Sequence, residues 1–76
     1  MSAKEMFEDL GFKFYDDHDC LIYAKYFGDR IDTKILFEIK DKTLSFSGIR
    51  RNWWIVNLDL LKAIHHQLKE LGWLDD

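Results

Sequence analysis

Seventy-six residues make one small domain, 1–76, and a chain of this length buries only about 60% of its unfolded surface, so its core must be dense. A composition 47% hydrophobic and 16% aromatic supplies that density and argues against disorder. A net charge of −3, from 14 acidic and 11 basic residues, disfavours a general binder of nucleic acid or anionic membrane, and a single cysteine, Cys20, excludes a disulfide framework within the chain.

In chain order, Ser2-Ala3-Lys4-Glu5 reads as a capping box. Ala3, Met6, Phe7 and Leu10 follow at i, i+3, i+4 and i+7, one face of a helix over residues 2–10. Gly11 stops that helix, with Phe12 placed to fold back on Phe7. The period then changes to two. Phe12 and Phe14 alternate with Lys13 and Tyr15, and Asp16-Asp17-His18-Asp19 forms a turn cluster. Residues 20–27 make a strand with Ile22, Ala24 and Tyr26 on one side. Gly28-Asp29 starts the next turn. Residues 33–40 alternate, Ile35 and Phe37 against Leu36 and Glu38. Asp41-Lys42 makes a tight hairpin, Leu44 and Phe46 continue the inward row, and Gly48 closes the run. Asn57 is placed to cap a last helix whose stripe is Leu61, Ile64, Leu68 and Leu71, ended by Gly72 with Trp73 against Leu68. Tight turns imply antiparallel pairing. The expected fold is α+β, a two-layer sandwich: an antiparallel meander of four strands, or five if "WWIV" adds one, with both terminal helices on one face in the order α-β-β-β-β-α.

The stretch "GIRRNWWIVNLDL" (48–60) brings two arginines, an asparagine and two adjacent tryptophans together. Two neighbours in an extended segment point opposite ways, so one of Trp53 and Trp54 anchors the core and the other is left outward. Arg50, Arg51 and the outward tryptophan suit either a protein hot spot or, as the alternative, weak nucleic-acid binding by stacking and phosphate contact. Two or three phosphate contacts give a salt slope of only about −2, which favours a protein partner. With Ile22, Ile35, Phe37, Leu44 and Phe46 inward, the opposite sheet face is expected to show Tyr15, Leu21, Tyr23, Phe27 and Leu36 among Lys13, Lys25, Lys34 and Glu38. An apolar patch of that kind marks an interface, with a second copy of the chain or another protein, unless one of the helices crosses to cover that face.

Other chemistry finds little support. His65 and His66 are neighbours on a helix and do not share a face, so they make a poor zinc pair, whereas His66 and Glu70 suit a surface pair. The Asp16–Asp19 cluster lacks the spaced ligands of a calcium loop. Cys20, beside Leu21 and Ile22, reads as a packed thiol. No nucleophile elbow, phosphate loop or paired carboxylates occur, so neither enzyme activity nor a cofactor or metal is expected. Residues 1–12 alternate charged and apolar positions, unlike a signal peptide, and no apolar run approaches the ~20 residues of a membrane span, so no membrane association and a cytoplasmic location are expected.

"SAKEMFEDLGF" and "LKAIHHQLKELGW" resemble the opening and closing segments of small uncharacterised proteins of phages and prophages of Gram-positive bacteria. The resemblance covers about a third of the chain, at its two ends. It implies a phage accessory protein made in the host cytoplasm and supplies no catalytic residues. By analogy of size, such proteins act by binding and modulating or inhibiting a host protein.

Overall fold

The computed structural model describes residues 1–48 and 56–74. Helix α1 (Ala3–Asp9) leads into four strands, β1 (Lys13–Asp17), β2 (Cys20–Phe27), β3 (Arg30–Glu38) and β4 (Thr43–Ser47), and helix α2 (Leu58–Glu70) closes the order. All neighbours pair antiparallel in the sheet order β1-β2-β3-β4, a meander. Phe7 of α1 and Ala63 and Ile64 of α2 share one core with Tyr23, Ile35 and Phe37 of the sheet. Both helices therefore lie on the same face, and the domain is a two-layer α+β sandwich. Arg50, Arg51, Trp53, Trp54 and, apart from Val56, the proposed "WWIV" strand lie outside the described residues; Val56 itself is not in a strand and packs against the core.

The helix ends follow the local sequence. The Glu5 amide donates to Ser2 Oγ at 3.2 Å and the Ser2 amide to Glu5 Oε1 at 2.9 Å, so the capping box is complete. The Leu60 amide donates to Asn57 Oδ1 at 2.8 Å and caps α2. Gly11 (φ 95) and Gly72 (φ 74) take the left-handed conformation that ends each helix. The Phe12 amide then donates to the Phe7 carbonyl and the Trp73 amide to the Leu68 carbonyl, both at 3.0 Å. These are two Schellman motifs, written in sequence as leucine-glycine-aromatic. Each aromatic closes onto the core: Phe12 meets Phe7 edge-on at 5.7 Å between ring centroids, and Trp73 lies 6.4 Å from Phe37. Ser2→Ala and Gly72→Ala should each lower stability by about 1 kcal/mol, read as a fall in denaturant midpoint at unchanged slope. A methyl at Gly72 would meet nothing within 4 Å, so that loss is one of backbone conformation alone.

The register of β2 differs from the sequence expectation, and the cause is a bulge. At the turn end Phe27 pairs with Arg30 and Tyr26 with Ile31, but the next pair is Lys25 with Thr33. Asp32 is thus the extra residue on β3. One extra residue moves every later side chain of the partner strand to the other face. Tyr23 then lies opposite Ile35 and Leu21 opposite Phe37, on the helix side. Leu21 and Tyr23 were expected outward and instead face the core, while Ile22, Ala24 and Tyr26, expected inward, take the outer face. Phe27 also follows Tyr23 and Lys25 on the helix side by alternation. It is 72% exposed, so the helix layer does not reach it.

Two smaller corrections concern ends and stripes. β3 stops at Glu38, and residues 39–42 form a four-residue turn with Lys42 at φ 55. The Ile39 amide leaves the ladder there and donates to the Asp19 carbonyl of the first hairpin. In α2 the buried stripe is Ala63, Ile64 and Gln67, flanked by Leu60, Leu68 and Leu71, whereas Leu61 is 54% exposed. The stripe turns toward Leu60 because Gln67 is held inside: Tyr23 Oη donates to its Oε1. Phe7 stacks on the same Tyr23 ring, with centroids 3.9 Å apart and planes 19° from parallel.

Candidate interaction surface

The sheet face opposite the helices is the one broad surface that the described secondary structure leaves uncovered. Its side chains fall into three rows set by the pairing register. The middle row crosses the sheet through Tyr15, Ile22, Leu36 and Ser45. On one side lie Lys13, Ala24, Lys34 and Ser47, and on the other Asp17, Cys20, Glu38 and Thr43. An apolar row is therefore flanked by a basic row and an acidic row. Tyr15 and Leu36 take the outward places expected of them. Ile22 and Tyr26 join them through the bulge.

Tyrosine pairing organises the basic side. Tyr15 Oη and Tyr26 Oη are 2.9 Å apart. Ala24, which lies on the same face opposite Lys13, is buried. Lys13 Nζ lies 5.7 Å from the Tyr26 ring centroid, a cation–π contact. The hydrogen bond with the Tyr15 hydroxyl pushes the Tyr26 hydroxyl above its ordinary pKa. Tyr15 and Tyr26 nonetheless stay 43% and 39% exposed, and Ile31, opposite Tyr26, is exposed as well. Large apolar groups at the solvent edge with polar tips are the usual material of protein contact surfaces.

The remaining candidates resolve into structural roles. Cys20 is half-buried in β2. Burial first, then the carboxylates of Asp17, Glu38 and Asp19, push its thiol pKa up, away from the thiolate that nucleophilic chemistry needs. Asp16 and Asp17 belong to β1, and only His18 and Asp19 form the turn, His18 at φ 27. Among the described residues no group of three or more His, Cys, Asp or Glu is placed to hold a metal ion. His66 Nε2 and Glu70 Oε2 form the surface pair at 3.1 Å. The same Glu70 oxygen accepts from the Ala3 amide at 2.9 Å, so the carboxylate ties the end of α2 to the positive end of α1. A shallow apolar cavity of about 300 Å³ lies between Leu44, Leu68, Trp73 and Leu74, beside Lys42. Among the described residues no helix is long and apolar enough to cross a membrane.

The three-row face was hidden from a sequence reading because it depends on the bulge. A signal was available: Asp32 interrupts a β-rich run between Ile31 and Thr33, and aspartate inside a strand is a recurrent mark of irregular pairing. No protein-family model, curated protein or solved structure matches the chain.

Proposed function

We propose that this protein is a small phage-type accessory protein that works without catalysis, binding a protein of the host cytoplasm through the outer sheet face and modulating or inhibiting it. The observation that supports the binding role is the apolar row Tyr15–Ile22–Leu36 between rows of opposite charge, on the face away from both helices. The resemblance of the two terminal segments to small phage and prophage proteins supports the setting. A partner that fits presents a matching apolar strip with its own charges in reversed order, which fixes the docking direction as well as the contact.

Leu36→Lys tests this reading. Leu36 is half-buried and points away from the core, so the fold should survive with little change in melting temperature. An unpaired ammonium in the centre of the strip should abolish partner capture, since a desolvated charge at an interface centre costs several kcal/mol. Immobilised wild-type and variant proteins exposed to the same host lysate should differ by one or more retained proteins. Identical retained sets from two equally folded proteins would sink the idea. Tight, salt-sensitive retention of oligonucleotides would point instead to nucleic-acid binding through Arg50, Arg51 and a tryptophan.

A further inference from the structure

We infer that a second copy of this chain docks on the free edge of β1, antiparallel and centred on Tyr15, to make a continuous eight-stranded sheet across a two-fold axis. Among the described residues β1 is the end of the sheet, and four of its five residues are exposed. It contains no proline, glycine or bulge, and its charged residues Lys13, Asp16 and Asp17, which discourage a chance partner strand, carry both signs and so admit a strand of matching charge order.

The backbone sets the register. Asp17 and Cys20 flank the two-residue turn His18-Asp19, so they form the closing hydrogen-bonded pair of the hairpin. Hydrogen-bonded and non-bonded pairs alternate along an antiparallel ladder. Lys13, Tyr15 and Asp17 therefore spend their peptide groups on β2, and Phe14 and Asp16 direct theirs to the open edge. A two-fold centred on Tyr15 sets each Phe14 opposite the Asp16 of the other copy. The peptide groups of both point to the open edge, so the ladder continues without a mismatch. The Tyr15 pair, and each Lys13 with the other copy's Asp17, then fall at non-bonded positions, where opposite side chains approach most closely.

Charge selects this arrangement over its rivals. All of β1 pairs, and two Lys–Asp contacts form on the outer face. A parallel pairing in register sets lysine by lysine and aspartate by aspartate. A centre at Asp16 apposes the two Asp16 residues, and a centre at Phe14 leaves Lys13 opposite Tyr15. Like charges directly opposite destabilise a sheet pair and unlike charges stabilise it. The rows behind β1 agree: the same two-fold continues the acidic row of one copy into the basic row of the other, and joins the two apolar rows through Tyr15. The dimer stands whether or not the outer face binds a host protein, because its hydrogen bonds lie in the sheet edge.

Sedimentation velocity across a concentration series tests it, with circular dichroism and thermal melting as the check on folding. Wild type should show a reversible monomer–dimer equilibrium. Lys13→Asp and Asp17→Lys should each weaken it by about tenfold or more, since the symmetry applies each change twice. The double variant Lys13→Asp/Asp17→Lys should restore it. Asp16→Pro removes the amide aimed at the second copy and spares the β1–β2 ladder, so it should leave a folded monomer. Leu36→Lys should leave the dimer in place while host-protein capture is lost. A wild type that stays monomeric at millimolar concentration overturns the inference. A dimer that survives Asp16→Pro but dissociates in Leu36→Lys also overturns it, and identifies face-to-face stacking instead.

Discussion

Tyr23→Ala should remove about 3–5 kcal/mol, most of the stability a domain of this size commands, and leave it largely unfolded near room temperature. The ring is fully buried, stacked on Phe7, tilted against Phe14 at 5.2 Å and edge-on to Phe37 at 6.0 Å. Removing it opens a cavity between both layers at once, and none of these neighbours is free to close it. Tyr23→Phe separates packing from hydrogen bonding. It keeps the ring and leaves Gln67 Oε1 without its donor, for a smaller loss of about 1–3 kcal/mol. Urea denaturation of the two variants should therefore rank alanine well below phenylalanine. Equal losses would show that the hydroxyl, and not the ring, holds the layers together.

The same residue gives the fold an alkaline weakness. Burial first, then the Glu70 and Glu8 carboxylates, push the Tyr23 hydroxyl well above its ordinary value of 10.0. Below pH 10 native and unfolded chains both hold this proton, and the contribution of the residue is complete. Above it the unfolded chain ionises first and binds fewer protons than the native state, so stability falls as pH rises. Tyr23→Phe should flatten the part of that fall due to this site. The Tyr15–Tyr26 pair, with Tyr26 also raised, remains as background.

Why Tyr23 was misplaced from sequence alone shows what the chain spells out locally and what it does not. The helix ends are local: Ser2 with Glu5, Asn57 with Leu60, and the two leucine-glycine-aromatic stops each close within six residues, and all are present as expected. β3 was readable because only one of its faces is well supplied with large apolar groups at Ile35 and Phe37. β2 carries apolar residues on both faces, Leu21 and Tyr23 on one, Ile22, Ala24 and Tyr26 on the other, so a period of two cannot choose between them. The choice is made by pairing with β3, and that pairing is set by one bulged residue. α2 failed in a related way. Gln67 looks like a surface residue until Tyr23, 44 positions earlier, is known to face it. The interaction surface inherits the error: Tyr15 and Leu36 were found on strands whose faces were plain, and Ile22 and Tyr26 were missed on the strand whose face was not.

Gly48→Ala should be the most damaging single methyl added to this chain, with an expected loss of about 3 kcal/mol against about 1 for Gly72→Ala. Gly48 follows β4 with φ 153, a conformation that other residues rarely adopt. A Cβ there would stand 2.2 Å from the Asp32 carbonyl oxygen and 3.0 Å from Thr33 Cα. Both are backbone, so neither can swing aside as a side chain would. Asp32 is the bulged residue of β3, itself buried, with Thr33 Oγ1 at 3.4 Å from its Oδ2. The chain leaving β4 therefore passes directly against the irregularity that sets the faces of β2. A methyl at Gly48 has two ways to be accommodated. Gly48 can lift away from Asp32, which loosens the end of the β3–β4 pair and leaves β2 alone. Alternatively the bulge can move, which releases the register and turns Tyr23 and Leu21 toward solvent. Hydrogen exchange at the β2–β3 amides distinguishes them: protection kept from Ile22 to Lys25 means the first, and protection lost there together with the melting transition means the second. A Gly48→Ala protein as stable as Gly72→Ala would show that the close approach to Asp32 is dispensable. The bulge would then hold its place by the β2–β3 pairing alone.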